Sequence, residues 1–276
     1  MDEKALSIHF WGVRGGIPVS GPEYARYGGN TICIEMRCGD DSLFFDAGSG
    51  IAPAGKALKR EGRRLAKLFL THSHYDHMMG LPYFAPLHTR DAQVEIWSGH
   101  LAGTMTTREL LNDFMRPPWF PVPPDMCLGC IICHDFAAGD VLEPYPGVTL
   151  RTAKLTHPGD VIGYRLDWNG KSVALVTDSE HEPGSLDPAV LALIDKVDFL
   201  IYDGSYTDEE MVQFKGYGHS SWQQAIRLAK TAGVGKMGLI HHMAWRTDDL
   251  IDAIDAQVRE QFPAAFAARD RQTVIV

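Results

Sequence analysis

The sequence predicts a mixed α/β (α+β) fold in one domain spanning residues 1–276. Three observations predict it. Short apolar runs of strand length occur in series towards both ends of the chain, with helical windows between them, a pattern that suggests sheets with helices packed outside. No repeat, low-complexity tract or long charge block divides the chain. Its 45% hydrophobic and 10% aromatic content is that of an ordinary globular protein able to bury a sizeable core.

The elements follow in order. Residues 8–11 and 31–36 are rich in β-branched and aromatic side chains and read as strands. A third strand, 42–45, ends at Asp46-Ala47-Gly48-Ser49-Gly50, and a helix is expected over 54–60. The apolar run 65–70 is too short for a typical helix and reads as a buried strand. Further helices are expected around 104–115, 186–196, 220–232 and 248–261, and further strands around 148–155, 161–168, 171–177, 197–202 and 236–241. Around 116–146 the chain carries seven prolines, which fix φ and lack a donor, so this stretch reads as an irregular surface crossing or lid. Arg14-Gly15-Gly16 is a glycine turn with no helix behind it, which fits the rim of a site better than a nucleotide loop.

Charge and cysteine content narrow the function classes. With 26 basic and 35 acidic side chains the net charge is −9, which argues against a non-specific grip on nucleic acid. A site that holds one phosphate group with metal ions remains compatible. The polar Met1–Lys4 start, and the lack of an apolar run near the roughly 20 residues that cross a bilayer, predict a cytoplasmic protein without a membrane partner. Five cysteines fit a reduced compartment. Cys127, Cys130 and Cys133 have a spacing that suits a structural zinc, but a strand with small apolar thiols is the alternative reading.

The strongest chemical signal is Thr71-His72-Ser73-His74-Tyr75-Asp76-His77, directly after strand 65–70. Positions two apart in an extended segment point the same way, so His72 and His74 project together, and the turn brings Asp76 and His77 to a second focus. Three imidazoles and a carboxylate in so short a span suit a borderline metal such as zinc. His157, Asp178 and His241 each follow another strand-like run, where a rigid sheet can hold a ligand. Glu180-His181 lies close behind Asp178 and reads equally well as part of the site or as a solvated loop. His9, His88 and His100 have no partner pattern and read as structural.

These residues resemble the metallo-β-lactamase superfamily. His72-x-His74-x-Asp76-His77 looks like its signature, and the likeness extends over nearly the whole chain. The resemblance implies a four-layer αββα sandwich. It implies two divalent metal ions, Zn²⁺ or Mn²⁺, with iron also compatible. One would be held by His72, His74, His157 and bridging Asp178, the other by Asp76, His77, Asp178 and His241. Asp46 would orient the cluster from behind, and His241 is preferred to His242 because it lies nearer the strand. Histidine at position 74, where a flavo-diiron protein would carry glutamate, favours hydrolysis.

Tyr202-Asp203-Gly204-Ser205-Tyr206, Gly218-His219-Ser220-Ser221 and Ile240-His241-His242 are similar to the phosphodiesterase branch, which includes tRNase Z-like endonucleases and cyclic-phosphate phosphodiesterases. By that resemblance Asp76, His219 and Asp203 are the catalytic residues, with His219 and Asp203 acting on the leaving oxygen. Asp178 lies only 21 positions after His157, too close for a tRNA-binding arm between them. A small cyclic phosphate or cyclic nucleotide is therefore the expected substrate, with no stable nucleic-acid partner. An RNA endonuclease, an ester or lactone hydrolase and a non-catalytic metal or ligand sensor are the alternatives. The family often forms homodimers, and Arg246 is the nearby arginine for a phosphate.

Overall fold

The computed structural model describes residues 5–276. Met1–Lys4, on which the reading of the polar start rests, lie outside the described residues. The first half runs β1 (Leu6–Gly12), β2 (Arg14–Gly15), β3 (Cys33–Cys38), β4 (Asp41–Phe45), α1 (Ile51–Arg60), β5 (Leu65–Phe69), α2 (Tyr75–Met78), β6 (Gln93–Ser98), α3 (Thr107–Phe114) and β7 (Cys130–Asp135). The second half runs β8 (Val141–Tyr145), β9 (Val148–Leu155), β10 (Val161–Trp168), β11 (Lys171–Val176), α4 (Pro188–Ile194), β12 (Phe199–Asp203) and α5 (Asp208–Met211). It closes with α6 (Trp222–Ala232), β13 (Lys236–Ile240), β14 (His242–Met243), α7 (Asp248–Gln261), β15 (Ala265–Ala267) and β16 (Gln272–Ile275).

Two seven-stranded sheets form, ordered β16-β1-β3-β4-β5-β6-β7 and β15-β13-β12-β11-β10-β9-β8. One apolar core joins their inner faces, with Ile8, Phe10, Phe45 and Phe69 of the first sheet against Leu150, Tyr164, Leu175 and Ile201 of the second. On the outer face of the first sheet, α1 and α3 bury Ile51, Leu58, Leu110 and Leu111 against Leu68 and Ile96. On the outer face of the second, α4, α6 and α7 bury Ile194, Ile226 and Val258 against Leu200 and Met237. The result is the four-layer αββα sandwich. No helix of the described residues is long and apolar enough to cross a membrane.

Several element readings are corrected. Helix α1 begins at Ile51, because Pro53 stands in the first turn, where its missing N–H has no intrahelical partner to lose. Strands β6, β15 and β16 lie outside the segments whose patterns predict strands. The stretch 116–146 is irregular only in part, since β7 and β8 lie within it as edge strands of the two sheets. An edge strand needs only one partner, so Pro144 is tolerated inside β8. The three thiols do not converge. Cys130 and Cys133 are three apart on β7 and face opposite ways, and no group of three metal-holding donors among the described residues contains them. Cys127 and Cys133 pack instead against the core beneath α1 and α3.

Strands β4 to β7 run parallel to one another, as do β11, β12, β13 and β15. Their carboxyl ends therefore open on one edge of the sandwich, the place where parallel sheets present their loops to a ligand.

Candidate metal centre

The expected metal donors, with Asp46 and Asp203, stand at strand ends, and His219 lies in the loop between α5 and α6. Asp46 follows β4, His72 to His77 follow β5, His157 follows β9, Asp178 follows β11, Asp203 ends β12 and His241 follows β13. Their donor atoms fall into four overlapping groups whose members lie within 4.8 Å of one another. The groups are His72, His74 and His157; His72, His77 and Asp178; Asp76, His77 and His241; and Asp178, Asp203, His219 and His241. All the expected ligands and the His219–Asp203 pair are thus brought together.

The hydrogen bonds fix which ring nitrogen each imidazole presents. Thr71 donates its hydroxyl hydrogen to Asp46 Oδ2, so at 3.0 Å it accepts from His72 Nδ1–H. His77 Nδ1–H donates to Asp46 Oδ2 at 2.7 Å, and His157 Nδ1–H donates to the Gly218 carbonyl at 2.8 Å. Ser205 passes its hydrogen to Asp203 Oδ1 and so receives His241 Nδ1–H at 2.9 Å. His219 Nδ1–H donates to Asp203 Oδ2 at 3.0 Å. In all five rings Nδ1 is tied to the protein; in His72, His77, His157 and His241 this turns Nε2 to the centre, the arrangement that orients a metal-binding histidine.

A cation fits this donor set. The Nε2 atom of His72 is buried without any hydrogen-bond partner, which is costly for a polar atom unless something binds it. His157 Nε2 and His74 Nδ1 face each other at 3.1 Å, where a cation could bridge two lone pairs. His77 Nε2 is 3.3 Å from Asp178 Oδ1, and His241 Nε2 is 3.2 Å from Asp76 Oδ2 and 3.4 Å from Asp178 Oδ2.

The electrostatics agree. Burial opposes a charge on His241, but Asp178 and Asp76 outweigh it and raise the imidazole to about 9. Burial likewise opposes a charge on His77, and Asp178, Asp76 and Asp46 lift it well above the usual histidine value. Burial also opposes ionisation of Asp178, but His241 and His77 hold its carboxyl well below the usual range. In the metal-free protein the His77 and His241 imidazoles retain protons beside these carboxylates, where a cation would otherwise supply the positive charge, so uptake of a cation would displace those protons.

Backbone details position the donors. Asp46, Asp178 and His241 all have left-handed backbone, with φ of 61°, 52° and 61°. The pairing of β14 with β2 carries Arg14-Gly15 beneath His241, where a Cβ on Gly15 would overlap the imidazole. The Gly16 amide donates to Asp76 Oδ2 at 2.7 Å, which puts the glycine turn at the site. Gly218, at φ 85°, leaves room for His157. Glu180 accepts from the amides of Gly216 and Gly218 at 2.8 Å each and so clamps the loop before His219.

Ser205 and Thr71 act through hydrogen bonds that local sequence does not reveal. His242 points away, donating Nε2–H to the Ala268 carbonyl at 2.9 Å. Arg246 is not free to grip a phosphate. It is buried, donates to the Ser205 carbonyl and pairs with Glu210.

Comparison with known proteins places this arrangement in a family. A Beta-lactamase superfamily domain model matches residues 42–242. A Ribonuclease Z of Bradyrhizobium sp. (strain ORS 278) is 24% identical over 303 residues, covering 92% of this chain and 96% of its own length. The fold is also similar to the metallo-beta-lactamase fold protein YhfI from Bacillus subtilis, with a TM-score of 0.74, 17% identity and coverage of 99% and 100% of the two chains. Human tRNase Z, short form, superposes with a TM-score of 0.68 at 18% identity, covering 97% and 98%. With its family model spanning most of the chain, the protein belongs to the beta-lactamase superfamily.

Proposed function

We propose that the protein is a binuclear metal-dependent phosphodiesterase. The observation that carries this reading is the His219–Asp203 pair, 3.0 Å apart and grouped with Asp178 and His241. A donor cluster alone suits many hydrolytic reactions, but an imidazole held by a buried carboxylate beside it suits a reaction whose leaving oxygen needs a proton. His72, His74, His157 and Asp178 would hold one divalent ion, and Asp76, His77, Asp178 and His241 the other. Bound there, Zn²⁺ or Mn²⁺ supplies an acidified water and positive charge for phosphate oxygens.

The chain's own residues do the rest. Asp203 keeps the His219 proton on Nδ1 in the neutral ring, so that Nε2 can carry a second proton to the leaving alkoxide. Asp46 orients His77 through Nδ1, Ser205 orients His241, and the Gly16 amide steadies Asp76. The protein's net charge of −9 and the spacing of only 21 positions from His157 to Asp178 favour a small cyclic phosphate or cyclic nucleotide. An RNA endonuclease is the second reading, favoured by relatives that carry the name Ribonuclease Z.

The test is hydrolysis by separately Zn²⁺- and Mn²⁺-loaded protein. The substrates are bis(p-nitrophenyl) phosphate, 2′,3′- and 3′,5′-cyclic nucleotides, an RNA with a 3′ trailer, and a lactone. Turnover of phosphodiesters that chelator abolishes is the expected result. Inactivity towards every phosphodiester at full metal occupancy would refute it.

A further inference from the structure

A cleft of about 350 Å³, lined mostly by aromatic rings together with Met79, Pro82 and Asp113, opens against the segment that carries His74 and Asp76. Tyr75, which stands between His74 and Asp76, contributes one wall and is 76% exposed. Trp119, on the proline-rich crossing, is also 76% exposed, and Tyr83 is 67% exposed. Phe114 and Phe120 form the floor and pack inward against the core under the first sheet's helices. Tyr83 and Phe120 meet edge to face, with ring centroids 5.8 Å apart.

The floor is explained by folding, but the walls are not. Three large rings stay in solvent although burial would favour each of them. Pro117, Pro118 and Pro121 flank Trp119 and Phe120 and restrict the backbone, so the indole is presented with little freedom to lose on binding. No lysine or arginine lines the cleft, so it does not suit a second phosphate. It suits a flat, uncharged part of a molecule whose phosphate lies at the donor cluster. Its volume is at the lower end for ligand sites, about 300 Å³ upward, and accommodates one ring system.

We propose that this cleft is a nucleobase subsite, so that the substrate is a nucleoside phosphodiester and not an alkyl or sugar phosphodiester. The proposal rests on the phosphodiesterase reading for the position of the phosphate. The base stacks on Trp119 or Tyr75, an interaction that tolerates any base because each has a π-face.

Two measurements test it. In the first, AMP and ribose 5-phosphate are titrated into metal-loaded protein and tryptophan emission is followed. AMP should bind more tightly and quench, and Trp119→Ala should weaken AMP binding by about fivefold to a hundredfold, the range of one base–aromatic stack. In the second, kcat/KM is compared for adenosine 2′,3′-cyclic phosphate and glycerol 1,2-cyclic phosphate. The wild-type ratio should favour the nucleoside, and Tyr75→Ala or Trp119→Ala should pull the ratio towards one. Both side chains are exposed, so these variants should fold. Equal binding of AMP and ribose 5-phosphate, or a substrate ratio that neither variant changes, would overturn the subsite. Phosphodiester hydrolysis without base preference would do the same and leave the phosphodiesterase reading standing. Base-dependent binding without hydrolysis of any phosphodiester would sustain the subsite and overturn that reading.

Discussion

Asp203→Asn tests the proposed catalytic pair most directly. The Asp203 carboxylate is fully buried and accepts on both oxygens. Oδ2 takes His219 Nδ1–H at 3.0 Å and the Asp178 amide at 3.1 Å, while Oδ1 takes the Ser205 amide at 2.9 Å and the Ser205 hydroxyl. An asparagine can accept on one side only. With its oxygen towards Ser205, its NH₂ confronts two donors. Hydrogen bonds to a charged acceptor contribute about 1.5–3 kcal/mol each, so losing two costs about 3–6 kcal/mol. His219 can relieve part of this by moving its hydrogen to Nε2, which reverses the tautomer that proton donation requires. A comparable Asp→Asn change in a serine-protease triad lowers kcat by about 10⁴.

We therefore expect kcat to fall about 10³- to 10⁴-fold for a cyclic nucleotide, whose leaving alkoxide is strongly basic. The fall should be much smaller for bis(p-nitrophenyl) phosphate, since p-nitrophenolate leaves without a proton. Metal content by atomic absorption should stay at wild-type stoichiometry. An equal loss for both substrates at full metal occupancy would refute the assignment of His219 and Asp203 to the leaving group.

Other predictions follow from the same contacts. Gly15→Ala places a methyl group where the His241 imidazole lies, so metal content should drop while the far-UV circular dichroism stays native. In chelated protein His241 is raised to about 9 from 6.5, so its contribution to stability is complete below pH 6.5 and is lost as pH rises through about 9. Thermal midpoints of the chelated protein should fall across that window, and those of the metal-loaded protein should fall less. Metal addition at pH 8 to unbuffered chelated protein should release protons, measurable with a pH indicator, because His77 and His241 must give theirs up. Removing metal should also lower the thermal midpoint, since a ligand that binds only the folded state stabilises it.

Legibility in the sequence followed locality. Strands β9 and β10 and helix α7 have the bounds their patterns predict, because each is long and strongly periodic. The donors were legible because His and Asp directly after an apolar run is a local signal. Strand β6 was not, although Val94, Ile96 and Ser98 alternate inward. Its other face carries Gln93, Glu95 and Trp97, and only pairing explains them, with Lys67 Nζ 3.1 Å from Glu95 and the Trp97 and His134 rings stacked at 3.9 Å. The role of Ser205 is hidden for a similar reason, and the sequence leaves Glu180 open between the site and a solvated loop. Ser205 meets His241 across 36 positions and Glu180 meets Gly218 across 38, and no local pattern reveals either pairing.

The three left-handed residues show why the centre is built where it is. Asp46, Asp178 and His241 stand where the chain leaves parallel strands β4, β11 and β13. A strand that simply continued would send alternate side chains to its two faces, into the inter-sheet core or under the helices. A positive φ turns the chain at once and swings one side chain past the strand end. Glycine would adopt that backbone without penalty, but it offers no donor atom, so these positions accept a cost of about 1–2 kcal/mol each. The surroundings hold the strain in place. The Thr71 amide and His77 fix Asp46, the Asp178 amide is held by Asp203, and the His242 amide donates to the Val13 carbonyl at 3.0 Å. Donors locked in this way cannot retreat from one another when no cation is present. Protons on His77 and His241 then offset the carboxylates, and the lone pairs of His72 and His157 stay directed inward. Strain, buried charge and unpartnered nitrogens thus all act in the same direction, towards binding positive charge at one edge of the sandwich.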